Sequence, residues 1–253
     1  MDTPAEGASK LEALRDSVLQ ALEARAKPDW AESTPVFDKN VDYVGYGLSA
    51  ADHEAVYRDF RGPFLALPLA ERLQLAEMLL AGGIVEQANV AVHLWALSVD
   101  TLQPEHFEHL DRGLERFHSW ATTDSFCINV LQPLLLKYTD DVLQLLRKWN
   151  RSGNPWKRRA SVVAFTRKIG ASGEFTDEAL ELCENLIWDE DDLVQKGIGW
   201  ALKDTMRGAK ERVIEYVKDL RRRGVPSTIT LYAIRDLKGE ERKALLAIRG
   251  RRA

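Results

Sequence analysis

WATTDSFCINV from Trp120, WKRRASVVAFTRK from Trp156 and DLVQKGIGWALKD from Asp192 stack when the chain is cut every 36 residues. The same step backward gives IVEQANVAVHLW from Ile84, and the same step forward gives TITLYAIRDLK from Thr228. The seventh residue of every slot is apolar: Val90, Phe126, Val162, Ile198 and Ile234. A period of this size, with one helix per slot and a second helix between slots, predicts an α-helical solenoid in which each repeat buries its apolar face against its neighbours.

The helical turn then sorts the residues of each slot. At about 100° per residue, positions 3, 4, 7, 8 and 11 after the first fall within roughly 80° of it, and position 6 falls on the far side with the apolar residues. The near face carries Trp120 and Asp124, then Arg159 and Arg167, then Lys196, Trp200 and Lys203, and last Tyr232 and Arg235. In stacked helical repeats of the HEAT, armadillo or TPR kind, one helix of each pair lines the inner surface. The expected architecture is therefore an all-α, HEAT-like solenoid whose concave groove is basic and aromatic, with Asp124 as its carboxylate.

Composition agrees with this class. The 253 residues are 45% hydrophobic, and the mean hydropathy of -0.29 is ordinary for a soluble globular chain. No alternating Val/Ile/Thr strand interrupts the Ala- and Leu-rich runs, and no apolar run approaches the ~18 residues of a membrane span. The polar, acidic opening MDTPAEGASK does not read as a signal peptide. Cys127 and Cys183 fall inside predicted helices and read as reduced, buried residues of a cytoplasmic protein.

The net charge of -4 hides an asymmetry. Residues 1–146 hold 11 Lys and Arg against 23 Asp and Glu, whereas residues 147–253 hold 24 against 16. A basic second half fits a polyanionic partner, and it equally fits a solvated surface.

Taken in order, residues 9–26 predict an amphipathic helix with Leu11, Leu14, Val18 and Leu22 on one stripe, stopped by Pro28. Residues 27–48 read as loop, so residues 1–48 form an N-terminal helix and linker packing on a repeat domain at 49–250. Ser49 and Asp52 read as a capping box, for a helix that Gly62-Pro63 is expected to close. Helix pairs then follow at 69–81 and 84–98, 104–117 and 121–137, 139–149 and 155–169, 176–187 and 191–207, and 210–222 and 227–236. Pro133 should kink or break the helix over 121–137. The terminal RGRRA should fray.

Other signals carry less. His106 and His109 stand three apart without an obvious third ligand, so they read as a polar helix face and not a metal site. Asp189 to Asp192 (DEDD) at a helix start reads as capping, where carboxylates suit the helix dipole. The glycines of KGIGW lie within a helix and read as sites of close helix packing or close ligand approach. Each tryptophan, taken alone, is as expected of a core residue; it is the shared face that points to function. An aromatic, cationic groove suits a nucleic-acid backbone, because cations neutralise phosphates and aromatics pack on sugars or bases.

At SWATTDS (119–125), NPWKRRA (154–160) and VQKGIGWALKD (194–204) the chain resembles the DNA alkylation repair family, the AlkD-like DNA glycosylases built from HEAT-like repeats. YAIRDLKGEER (232–242) is compatible with it, and the clear resemblance covers residues 105–245. Position by position, Trp120 and Trp200 resemble the family's tryptophans flanking the lesion's deoxyribose, Asp124 its catalytic aspartate and Arg159 its phosphate-gripping arginine. Thr123 replaces an apolar residue of the family's W-x-x-V-D, and Ala121 stands where an acidic residue is common.

The resemblance implies a monomeric enzyme acting on double-stranded DNA that carries alkylated bases, without base flipping and without a metal or organic cofactor. Lys196, Arg167, Lys203, Tyr232 and Arg235 would join Arg159 in binding DNA. Alkylation at N3 of adenine or N7 of guanine makes the base cationic, so it leaves without a general acid. Asp124 would then stabilise the oxocarbenium-like sugar and orient water, and the tryptophan faces would add attraction to the developing charge. The family also has branches that bind DNA without excision, so a non-catalytic repeat scaffold for DNA structures or a protein partner is the alternative.

Overall fold

The computed structural model describes residues 4–32, 44–248 and 250, and every regular element among them is helical. Residues 28–32, expected as part of the loop at 27–48, are helical; residues 33–43 and most of the terminal RGRRA lie outside the described residues. The chain forms two compact units, Met1–Val130 and Leu131–Ala253. No helix among the described residues is long and apolar enough to cross a membrane.

The first unit holds α1 (Pro4–Glu23), α2 (Ala50–Ala66), α3 (Leu69–Leu80), α4 (Val85–Ala96), a 3₁₀ turn (Pro104–His106), α5 (Phe107–Leu114) and α6 (Trp120–Phe126). Leu11, Val18 and Leu22 of α1 are buried as the stripe requires, Leu14 is half-buried, and α1 packs on α2 and α3. The capping box is present: Ser49 accepts from the Asp52 amide and Asp52 accepts from the Ser49 amide. Lys27 also pairs with Asp52, whose carboxyl is held well below the ordinary range by that contact and by the Ser49 hydroxyl.

Helix α2 does not stop at Gly62-Pro63. It runs on to Ala66, because Phe64 is fully buried and stacks on Phe60 at 5.8 Å, anchoring the last turn. The stop comes from Pro68, which holds Leu67 in extended backbone. Trp95, Phe117 and Phe126 form a wholly buried cluster with centroids 5.5 to 6.3 Å apart, Phe126 meeting both others edge-on.

The second unit holds α7 (Gln132–Lys137), α8 (Thr139–Asn150), α9 (Pro155–Val163), α10 (Arg167–Ser172), α11 (Thr176–Glu184), α12 (Asp192–Gly208), α13 (Lys210–Arg223), α14 (Ser227–Ala233) and α15 (Gly239–Ala247). Helix α12 is its axis, packed by α9, α10, α11, α13 and α14.

Pro133 breaks the helix expected at 121–137, as its missing N–H and its clash with the preceding turn demand. The break takes the form of a π-helical segment, Cys127–Leu131, between α6 and α7. The helix expected at 155–169 is two helices. The Gln132 amide donates to the carbonyls of Ala164 (3.2 Å) and Thr166 (2.9 Å), and the Thr166 hydroxyl donates to Val163. Those side chains take over the local hydrogen bonding at the turn, and α10 starts afresh at Arg167. Helix α14 ends at Ala233, short of the expected 236, and α15 was not expected, since Leu245 is its one buried anchor among charged residues.

All five periodic apolar residues, Val90, Phe126, Val162, Ile198 and Ile234, are 0% exposed. Cys127 and Cys183 are buried and in no disulfide, and burial pushes the Cys183 thiol up.

The segment at 44–49 is tied down by one carboxylate. Glu86 of α4, 1% exposed, accepts from the amides of Tyr46 (2.9 Å), Gly47 (2.9 Å) and Leu48 (3.2 Å). A buried donor left unmatched costs about 1–3 kcal/mol, and part of this cradle is open to water. Glu86→Ala should lower the unfolding free energy by about 2–4 kcal/mol in urea titration, and unchanged stability would show that the loop holds without it.

Candidate functional site

In the first unit, the candidate site is one turn of α6. Ser119 caps the helix by accepting from the Ala121 amide at 3.2 Å. That cap sets the start of the helix, so Trp120 and Asp124 follow on one face, four residues apart. Trp120 is half-buried and Asp124 is 7% exposed. Asp124 is therefore a shielded carboxylate and not a free surface charge.

Between them, Thr122 anchors the turn. Its hydroxyl donates to Asn89 Oδ1 (2.6 Å), the Asn89 amide meets His53 Nε2 (3.2 Å), and His53 Nδ1 meets the Ser49 carbonyl (3.0 Å). The carbonyl can only accept, so His53 carries its proton on Nδ1 and Nε2 accepts from Asn89. This relay, invisible in the periodic pattern, ties α6 to α4 and α2.

In the second unit, the candidate residues gather around α12. Asp191 caps it, its side chain accepting from the amides of Leu193 (2.8 Å) and Val194 (3.1 Å), so the capping reading of the DEDD run holds there. Asp189 has a different use: it takes the Arg158 guanidinium at 2.6 and 3.2 Å. Arg159 is 5% exposed, and its guanidinium donates to the Leu193 carbonyl on α12. Lys196 is half-buried and pairs with Asp192 at 2.5 Å.

Trp200 is half-buried, and the Arg167 guanidinium lies 5.9 Å from its ring centroid. Arg167 gets there by a route the helical period did not describe. It does not continue α9; it opens α10 with φ of 53°. Tyr232 is half-buried with the exposed Arg235 guanidinium 5.5 Å from its ring, although Arg235 lies in the turn beyond α14.

The glycines of KGIGW serve packing. A Cβ at Gly199 would lie 2.5 Å from Tyr232 Cβ and 2.9 Å from the Ile229 carbonyl oxygen, so α14 rests on α12 backbone there. At Gly197 the nearest atoms, on Val163 and Arg159, would be 3.3 and 3.4 Å away. Beside this contact, a cavity of about 330 Å³ is lined by Lys203, Met206, Arg207, Lys210, Ala233, Asp236 and Leu237. The Arg207 guanidinium, with Lys203 adding, holds the Asp236 carboxyl below its ordinary range.

One acidic residue was missed. Asp204 is 1% exposed and accepts from the Arg167 amide at 2.7 Å, with Lys203 Nζ 3.2 Å from its other oxygen. The signal was available: Gly197, Ala201, Asp204 and Gly208 form one stripe of α12 spaced four, three and four, and a carboxylate on a small-residue stripe is packed against a neighbour.

The histidines expected to be unrelated to a metal have other partners. His109 Nδ1 lies 2.7 Å from Glu77, and His106 Nδ1 accepts from the Gln103 amide at 3.1 Å. Among the described residues, no group of three or more His, Cys, Asp and Glu is arranged to hold a metal ion.

Around α12 the second unit thus gathers an aromatic and cationic cluster, and α6 in the first unit carries a shielded carboxylate. The family model described as DNA alkylation repair enzyme matches residues 18–237, and the chain belongs to that family. A solved structure described as a predicted DNA alkylation repair enzyme from Enterococcus faecalis is similar in fold, with a TM-score of 0.71, 16% identity, and 84% of this chain and 97% of that chain covered. No curated protein matches the sequence.

The contact at Gly199 gives a test of the α12 surface. Gly199→Ala must push Tyr232 and α14 aside, and overpacking of this kind costs typically about 1–3 kcal/mol. A thermal unfolding midpoint equal to that of the parent would show that α14 yields freely.

Proposed function

We propose that this protein is a DNA glycosylase that hydrolyses the N-glycosidic bond of cationic alkylated bases, of the 3-methyladenine and 7-methylguanine type, in duplex DNA. It would do so as a cytoplasmic monomer, gripping backbone and sugar and leaving the base unflipped. Membership of the DNA alkylation repair family supports repair of such damage. The observation that carries the finer reading is Asp124, a carboxylate 7% exposed, one helical turn from a half-exposed tryptophan.

The chemistry follows from that pair. A base alkylated at N3 or N7 already bears the positive charge that a general acid would otherwise supply. Cleavage therefore shifts charge onto the sugar, which becomes oxocarbenium-like. Asp124 supplies the opposing charge and an acceptor for the attacking water's proton. A carboxylate shielded from water is more effective here than the same group on an open surface. Trp120 offers its ring face to the sugar, where charge develops. In the second unit, Arg159, Lys196, Lys203, Arg167 and Arg235 take phosphates, while Trp200 and Tyr232 pack on sugars. The second unit holds 25 Lys and Arg against 18 Asp and Glu, which favours a polyanion.

Two measurements test this. Asp124→Asn keeps shape and removes charge, so single-turnover release of 7-methylguanine or 3-methyladenine should slow on the order of 10²–10³-fold, equivalent to ~2.7–4 kcal/mol. Affinity for undamaged DNA should hold or rise, because a carboxylate repels phosphate. Release at the parent rate would end this mechanism. Salt-sensitive DNA binding with no release by the parent would instead favour a non-catalytic scaffold.

Arg159→Ala should weaken DNA binding with little sequence dependence and reduce the slope of log K against log salt by about 0.9. An unchanged slope across several salt concentrations would remove Arg159 from the interface. A thermal scan of the same variant reports the separate loss of its bond to Leu193.

A further inference from the structure

Two features of α10 and α12 are unexplained by packing alone. The first is backbone strain. Arg167 is the one described residue other than glycine with positive φ, 53°. Glycine occupies that region without steric cost, whereas an L side chain brings its Cβ against the following carbonyl. A turn that merely needed this geometry would be served best by glycine. The second is the buried carboxylate of Asp204. An ionised carboxylate at 1% exposure is costly unless matched by hydrogen bonds and opposite charge.

The two features meet. Asp204 Oδ2 accepts from the Arg167 backbone amide at 2.7 Å, so the carboxylate fixes the main chain at the strained residue, and with it the direction of the Cα–Cβ bond. The approach is close because α10 lies on α12 backbone: a Cβ at Gly170 would meet the Thr205 nitrogen at 2.9 Å and the Asp204 carbonyl carbon at 3.0 Å. The exposed Arg167 guanidinium then lies 5.9 Å from the Trp200 ring centroid. Asp204 Oδ1 faces two cations, Lys203 Nζ at 3.2 Å and Arg207 Nη1 at 3.6 Å. Lys203 is also 3.6 Å from Asp236, so it is held between two carboxylates.

We propose that Asp204 is a positioning residue for DNA binding: through the Arg167 amide it sets the Arg167 guanidinium against Trp200, and through its charge it holds Lys203 alongside. This rests on the reading of Arg167, Lys203 and Trp200 as DNA-binding residues. The strained backbone is maintained because it delivers a guanidinium beside an aromatic ring, where planar N–H donors reach a phosphodiester next to a sugar packed on the ring. Asp204 touches no DNA itself, and its contribution passes through Arg167 and Lys203.

Stability and binding should move in opposite directions at Arg167, which a purely structural role does not allow. Arg167→Gly relieves the strain, so its thermal midpoint should equal or exceed that of the parent. Its affinity for a duplex with a tetrahydrofuran abasic site should fall about 3- to 10-fold, with the salt slope reduced by about 0.9. Asp204→Asn keeps an acceptor near the Arg167 amide but loses the charge, and should weaken binding about 3- to 10-fold alone. In the Arg167→Gly protein the same Asp204→Asn change should lose most of its effect, because the two act through one contact.

Parent-like affinity and slope in Arg167→Gly, or equal effects of Asp204→Asn in both backgrounds, would overturn the assignment. The glycosylase reading fails separately, by absence of base release from a parent protein that still binds DNA. A parent protein with no salt-sensitive DNA binding would overturn both.

Discussion

The seventh residue of each 36-residue slot is apolar and wholly out of water, and the orientation of that slot's helix depends on it. Burying a side chain the size of Val, Ile or Phe contributes about 1.5–3 kcal/mol. In the slots of Phe126 and Ile198, a helix turned by two residues would lose that and bring Asp124 or Lys196 in its stead. Phe126 shows the consequence most directly. Locked edge-on against Trp95 and Phe117, it holds α6 so that Trp120 and Asp124, six and two residues earlier in the chain, share the opposite face of the helix. Ile198 does the same for α12, leaving Trp200 half-exposed while Ala201 and Leu202 are buried.

Charge is then distributed under that constraint. Many cations of the second unit are engaged by carboxylates: Arg147 by Glu181, Arg158 by Asp189, Arg207 by Asp236 and Arg223 by Glu184. These pairs leave the unit's basic surplus unchanged but fix where its paired cations lie. Exposed pairs of this kind add little to stability, and a polyanion can compete for their cations. Asp189 and Asp204 differ, because each is nearly buried and sets the geometry of a neighbouring helix instead of a surface.

Much of this was legible in the sequence because it is local. The helix over 139–149, the caps at Ser49 and Asp191, and the break before Pro133 each depend on residues a few positions apart. The five buried apolar residues needed only the period. What was not legible depends on distant partners. The end of α9 is set in part by Gln132, more than 30 residues away. Helix α2 passes Pro63 because Phe64 finds a buried site. Arg167 was named from helical continuity that does not exist, yet it lies beside Trp200 because a different helix begins there. The small-residue stripe of α12 marks Asp204 as packed, but its partner, the Arg167 amide, is not legible until α10 is placed on α12.

The proposed reaction gives a reason for the burial of Asp124. Positive charge appears on the sugar only as the base departs, so a group that stabilises it must act at that moment without reorganising. A carboxylate on a helix capped by Ser119 and tied through Thr122 to Asn89 and His53 is already oriented. Shielding from water strengthens its interaction with the developing charge. Such stabilisation lowers the barrier by about 3–4 kcal/mol, which suits a base whose positive charge lets it leave as a neutral molecule and falls short for an uncharged one. Selectivity for damage would then come from the leaving group's charge, with no pocket required to read the shape of the base.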